Sequence, residues 1–294
     1  MLNLNEIYKS CSLCPRNCNV DRTIGSEGDC GMDEKIKISY YGPHFGEEPE
    51  LVGRNGSGTI FFSGCNLLCD FCQNSEISHF KSGNYYSVEE LSGIILGLQE
   101  IGCTNINLVS PTHFSVSIVN AILMAKQEGL HIPVVYNSSG YEKKETLKMM
   151  EEVIDIYMPD LKFTNALITI GNKKINASKE FCNAEDYFEF ASGAIIEMYR
   201  QKGDLVVRNG IAKRGLLIRH LIMPNMMANS REIIDFVAEN IGVNTYLNLM
   251  DQYRPEYKAK NYDIINRRAS NAEIQTSIDY AKSRGFTRPD WLYS

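Results

Sequence analysis

The chain has 294 residues, 44% of them hydrophobic and 22% charged, with a net charge of −6. This is the balance of an ordinary globular protein with enough length to bury its own core. It lacks the basic footprint of a nucleic-acid binder, and no stretch approaches the roughly 18 apolar residues of a membrane span. The opening MLNLNEIYKSCSLC carries no apolar core flanked by basic residues, so no secretory signal is read and a reducing cytoplasm is expected. Nine cysteines in such a compartment need an explanation other than disulfides.

In chain order, residues 1–56 are marked by cysteine, glycine and proline, with little periodicity, and read as a loop-rich, metal-binding extension. Cys11, Cys14, Cys18 and Cys30 fall here, and four thiolates can close a tetrahedral site. Structural zinc and a second iron–sulfur cluster both suit this donor set, although the spacing is not that of a bacterial ferredoxin. From residue 57 to 294 a different rhythm holds. Short β-branched or aromatic runs at 59–62, 105–109, 132–136, 153–157, 215–222 and 245–249 alternate with longer amphipathic ones. Ser87 with Glu90, and Ser270 with Glu273, are capping boxes that open two of the helices, and glycines at 102, 129, 242 and 285 end four of them. Asn229 or Ser230 can cap the helix that stops at Gly242, and 176–202 reads as one long helix. The fold expected is α/β, a partial (β/α)6 TIM-like barrel behind the extension.

Such barrels carry their chemistry on the loops after the strands. Those loops hold the residues of chemical interest: Cys65, Cys69 and Cys72 after the first strand, Ser110–His113 after the second, Asn137–Tyr141 after the third, Pro159–Phe163 after the fourth, Met223–Asn225 after the fifth and Met250–Pro255 after the sixth. Thiolates at short spacing suit zinc or iron–sulfur clusters. Three of them on a four-iron cluster leave one iron with an open site, where a molecule can bind and receive an electron. Cys103 and Cys182 stand apart and read as small buried hydrophobes.

Cys65-x3-Cys69-x2-Cys72, with the aromatic Phe71 before the last cysteine, resembles the radical S-adenosylmethionine (SAM) superfamily. The resemblance implies a [4Fe-4S] cluster on these cysteines and SAM chelated at the open iron. It also implies reductive cleavage to a 5′-deoxyadenosyl radical that abstracts hydrogen, an anaerobic setting and an electron donor such as flavodoxin or ferredoxin. Carried over residue by residue, Phe71 flanks the cofactor, and Ser110 and Thr112 stand where the family usually has a Gly-Gly-Glu stretch for the methionine amino group. Asn137, Ser138 and Ser139 stand where the family contacts the methionine carboxylate or the ribose. Asp160 and Lys162 match an Asp-Leu-Lys stretch of the pyruvate formate-lyase activating enzymes, where they lie beside SAM. On the fifth strand Arg219 and His220 alternate, so one faces inward. His220 is the expected cofactor neighbour, because an inward arginine would need a partner. His113 is a candidate proton or radical-site partner, with a structural histidine as the alternative. "GEEP" at 46–49 and "MDQYRP" at 250–255 are similar to the branch named after pyruvate formate-lyase activation, with Glu256 where a cysteine often follows. That branch implies an activase of a glycyl radical enzyme. A radical enzyme acting on a small molecule or peptide, and a non-catalytic iron–sulfur electron-transfer module, are the alternatives.

Overall fold

The computed structural model describes residues 4–287. After α1 (Leu4–Lys9) the chain runs through the cysteine-rich segment into β1 (Ile36–His44), α2 (Pro49–Val52) and β2 (Ser57–Phe62). Next come α3 (Ser75–Ser78), β3 (Asn84–Tyr86), α4 (Val88–Glu100), β4 (Ile106–Val109) and α5 (Ser115–Gln127). Then follow β5 (Val134–Ser138), α6 (Lys144–Met150), β6 (Ile156–Pro159), the small hairpin β7 (Ile168–Ile170) and β8 (Lys173–Ile175), α7 (Ala177–Cys182) and α8 (Tyr187–Lys202). The chain closes with β9 (Val206–Arg208), β10 (Ile211–Leu221), α9 (Ser230–Asn240), β11 (Tyr246–Met250) and α10 (Asn271–Ser283).

The main sheet has the order β11-β10-β6-β5-β4-β2-β1-β3, with β9 on β10. Neighbours from β2 through β11 pair in parallel, which gives the six strands of a partial (β/α)6 barrel. β1 pairs antiparallel with both β2 and β3, so the segment before residue 57 adds a strand to the sheet as well as its cysteine loops. Alternation sorts the side chains. Ile106, Leu108, Tyr136, Tyr157, Ile218 and Leu247 pack outward in the main core, which includes buried residues of the covering helices. Val135, Met158, Leu217 and Tyr246 point inward and meet Leu51 of α2, so the short helix after β1 stops the lower end of the barrel. Burying Leu51 there contributes about 2 kcal/mol.

Both capping boxes form. The helix expected over 176–202 is broken: Asn183, in the left-handed region at φ 47°, ends α7 before α8 begins. The chain ahead of it is a hairpin turning at Gly171 and Asn172. Asn229 precedes α9, but its side chain is turned to Thr164 and Ala166 instead of capping the helix.

Candidate active site

The loop after β2 starts with a forced geometry. Gly64 has φ 82°, and a Cβ there would lie 2.7 Å from the Cys30 carbonyl oxygen and 2.5 Å from Met32. Only glycine lets the cysteine-rich segment press so close to the chain entering Cys65. The loop is then pinned by the Cys72 amide on the Cys69 carbonyl (3.1 Å) and the Asp70 amide on the Phe181 carbonyl (2.8 Å). Cys65, Cys69 and Cys72 line one cavity of ≈ 730 Å³, and Phe71, Ser110, Asn137, Ser138, Ser139, Asp160 and Lys162 line the same cavity. Its size suits a cofactor with room beside it. Lys162 donates to Asp160 at 2.5 Å. Burial by itself would lower the Lys162 ammonium, but the Asp160 charge beside it more than offsets that and holds it above its ordinary range. Ser110 is itself in the left-handed region at φ 55°, a strained turn at the cavity edge.

The thiols are held protonated in the bare protein. Burial pushes Cys65 up to about 12 and also raises Cys72. Loading a metal centre must therefore displace protons. Cys182, read from the sequence as a plain hydrophobe, lies with its sulfur 3.3 Å from that of Cys69, to which it donates. Nothing local in the sequence signals that contact, which spans 113 residues. Among the described residues, no three His, Cys, Asp or Glu groups surround a single-ion position. A cubane spreads its thiolates over separate corners, so three thiols along one wall of a cavity fit a cluster without meeting at a point.

Three expected neighbours of the cofactor lie elsewhere. Thr112 is buried and donates to Glu142 at 2.6 Å. His113 is buried behind the cluster loop, with Nε2 2.8 Å from the Ser63 carbonyl oxygen. Burial, then the nearby Arg22, push it down to about 3, so the ring is neutral near pH 7 and props the loop. His220 is a correction. It is fully buried on the outward face, between the Leu161 carbonyl oxygen (2.7 Å) and the Ser230 hydroxyl (2.9 Å). Arg219 takes the inward place and lines the cavity. The partner it needs comes from "GEEP": Arg219 Nε donates to Glu48 at 2.8 Å, and its Nη2 reaches both Glu47 and Glu48. Asn248 donates to Glu48 at 2.7 Å and Asn107 to Glu47 at 3.0 Å, completing a polar layer in the barrel.

The other cysteines gather away from this cavity. A Cβ on Gly28 would lie 3.3 Å from the Cys18 sulfur and 3.7 Å from that of Cys30. Beside them is Arg22, fully buried, stacked 4.6 Å from the Tyr8 ring and bonded to the carbonyl oxygens of His113 (2.7 Å) and Asp33. The polar atoms it touches are carbonyl oxygens and the Cys11 sulfur, 3.5 Å away. A buried guanidinium needs a counter-charge. A centre held by four thiolates carries net negative charge, so the donor set and Arg22 suit each other.

The family follows from this chain's own sequence: residues 59–189 match the model described as the radical SAM superfamily. The chain belongs to the radical SAM superfamily. An uncharacterized protein of Methanocaldococcus jannaschii is 34% identical over 94% of this chain and 75% of its own length. A second uncharacterized protein of that organism is 24% identical over 87% of this chain and 73% of its own. Among solved structures, "Native anSMEcpe with bound AdoMet" is similar at a TM-score of 0.47 and 13% identity, covering 78% of this chain and 59% of that one. The same protein with AdoMet and Cp18Cys peptide gives 0.44 and 12%, covering 73% and 54%. The chain thus spans little more than half of those solved chains. As a radical SAM protein it is expected to hold a [4Fe-4S] cluster and SAM, and the three-cysteine loop is the donor set on the cavity. No helix among the described residues is long and apolar enough to cross a membrane.

Proposed function

We propose that this radical SAM protein cleaves SAM reductively and directs the resulting radical at a C–H bond of a small molecule held inside the barrel. The supporting observation is a single cavity that carries the three cysteines at its rim and a layer of Glu47, Glu48, Arg219 and Asn248 deeper down. A bound cluster on Cys65, Cys69 and Cys72 would supply the electron that splits the sulfonium, taken from a donor of the flavodoxin or ferredoxin kind. The chain's own residues do the rest. Asp160 offers acceptors for hydroxyl groups, Lys162 offers a fixed positive charge to a carboxylate, and Asn137 and Ser139 offer hydrogen bonds between them. Phe71, Leu221, Leu249 and Met250 give the cavity an apolar lining that keeps water from the radical.

An activase of a glycyl radical enzyme is the second reading, favoured by the half-buried Asp160–Lys162 ion pair in its Asp-Leu-Lys stretch. For the cysteines at 11, 14, 18 and 30 the reading is a structural centre, zinc or a second cluster, beside Arg22. Oxygen-free reconstitution with dithionite and SAM tests the main reading. 5′-Deoxyadenosine should form, and Cys69→Ala should make none. Multiple turnovers without a partner protein support the small-molecule reading, whereas product limited to one event per added partner chain supports the activase. Roughly four irons plus zinc, or roughly eight irons, would name the second centre.

A further inference from the structure

Cys182 belongs to neither group of cysteines. It lies 113 residues from Cys69 in the chain, yet its sulfur is 3.3 Å from that of Cys69. The contact is built from both sides. Cys182 is the last residue of α7, and Asn183, at φ 47°, turns the chain away behind it. The Cys182 carbonyl oxygen accepts from Arg16 Nη2 at 2.9 Å. The Phe181 carbonyl oxygen accepts from the amide of Asp70, next to Cys69, at 2.8 Å. The Phe181 ring stands edge-on to Phe71, with 6.5 Å between centroids. The end of α7 and the cysteine loop are therefore packed as one unit, and the two sulfurs meet inside it. Cys65 and Cys72 have other neighbours: the Leu67 amide at 3.4 Å and the Ser78 hydroxyl at 3.2 Å. Cys69 opens onto the cavity, whereas Cys182 is 3% exposed and does not line it. A small molecule in the cavity thus reaches Cys69 first and finds Cys182 behind it.

We propose that Cys69 and Cys182 form a redox modification site: in the cluster-free chain a peroxide oxidises Cys69, and Cys182 closes a disulfide on it. In the first step the Cys69 sulfur attacks one peroxide oxygen and the O–O bond breaks. Cys69 becomes a sulfenic acid, and its thiol proton leaves with the departing hydroxide as water. In the second step the Cys182 sulfur forms the S–S bond as the S–O bond breaks, and its proton leaves with the hydroxyl as a second water. The two thiols lose two electrons, and hydrogen peroxide takes them. The sulfurs have to close from 3.3 Å to about 2.0 Å. The hydrogen bond from Cys182, and then burial, hold Cys69 protonated, which slows the first step. The second step joins groups already in contact within one chain, so it outruns attack by a second peroxide. The bridge keeps Cys69 from the sulfinic acid, which thiols do not reverse, and a dithiol reductant opens it again. That the bridged loop cannot take up a cluster rests on the reading of Cys69 as a cluster ligand; the bridge itself does not.

The test takes the full chain, reduced and free of cluster, exposes it to hydrogen peroxide, and maps the cysteines by alkylation and mass spectrometry. The wild type should give the Cys69 and Cys182 peptides joined and lighter by two hydrogens, and dithiothreitol should return both to free thiols. In Cys182→Ala, Cys69 should instead gain two oxygens and stay modified after dithiothreitol. Reconstituted after that reduction, the oxidised variant should bind roughly four irons fewer than the wild type treated alike. Sulfinic acid on Cys69 in the wild type to the same extent as in the variant overturns the proposal. So does a bridge from Cys69 to Cys65 or Cys72, or equal iron in the two treated proteins. If Cys182→Ala does not fold, the wild-type map still decides. SAM cleavage by an unoxidised, reconstituted sample keeps the two readings apart. The Cys69–Cys182 bridge without 5′-deoxyadenosine removes the radical reading and leaves the modification site standing. Product without the bridge removes only the modification site.

Discussion

Two groups of cysteines lie on either side of Gly64, and they differ in what they face. Cys65, Cys69 and Cys72 line the ≈ 730 Å³ cavity, next to groups that can hold a polar cofactor. Cys11, Cys14, Cys18 and Cys30 do not reach that cavity; Cys18 and Cys30 flank a turn at Gly28, and Cys11 touches the buried Arg22. Three donors on a cavity leave room for a reactant, whereas four donors against a packed core leave none. On the reading proposed above, the difference would separate a centre that does chemistry from one that holds the chain. The two are also wired together. Arg16, between Cys14 and Cys18, donates to the carbonyl oxygens of Asn66 (2.9 Å) and Leu67 (3.2 Å), just past Cys65, and of Cys182 (2.9 Å). Burial lifts a thiol in each group, Cys30 to about 11 and Cys65 to about 12.

The sharpest way to break this comparison is a pair of variants. Cys72→Ala should abolish 5′-deoxyadenosine formation while the thermal midpoint and the N-terminal metal stay near wild type. Cys14→Ala should do the reverse, losing that metal and stability while the cavity cluster can still be loaded. Equal loss of activity and equal loss of metal in both would merge the two centres into one function. Next in size is Arg22→Met, which strips the buried cation from the thiols and from the His113 and Asp33 carbonyls. It should cost about 3–5 kcal/mol in urea unfolding and release the N-terminal metal.

Glu142 sits in the seam between the groups, bonded to Thr112 and Tyr136, and burial pushes its carboxyl up to about 7. A folded value above the ordinary 4.5 means that the native state keeps a proton the unfolded chain has already lost. The stabilisation is therefore complete below about pH 4.5 and is lost as pH rises to about 7, a change on the order of 3 kcal/mol. Urea midpoints at pH 5 and pH 8 should show that slope, and Glu142→Gln should flatten it. Arg16→Ala is smaller. It should cost about 1–3 kcal/mol and speed loss of the cavity cluster on chelation, with less effect on the N-terminal metal. Smallest is Cys182→Ala. The cluster should still load, but its reduction potential should fall, because a thiol donating to a ligand sulfur favours the reduced form. Redox titration followed by electron paramagnetic resonance reads that shift.

Much of this protein could be read along the chain. The six parallel strands, the two capping boxes and the three-cysteine motif are all set by neighbours within a few residues. Other local signals were there to be used. Ile36, Ile38 and Tyr40 alternate with polar residues in β1, and Asn209-Gly210, at φ 53° and 75°, makes the tight turn between β9 and β10. Arg219 and His220 mark the boundary of that kind of reading. Alternation settles that they face opposite ways, but which one turns inward depends on where a counter-charge is found. Glu48 provides it from 171 residues away, because α2 stops the barrel and carries the carboxylates in with it. The same holds for Cys182 beside Cys69 and for Arg22 beside Cys11 and the His113 carbonyl. The sequence by itself determined the six parallel strands, the two capped helices and the three-cysteine loop, since hydrophobic periodicity and cysteine spacing are short-range. Only the tertiary structure decided which charges were paired and which cysteines opened onto a cavity. A buried charge is tolerable only beside its partner, and folding brings those partners from distant parts of the chain.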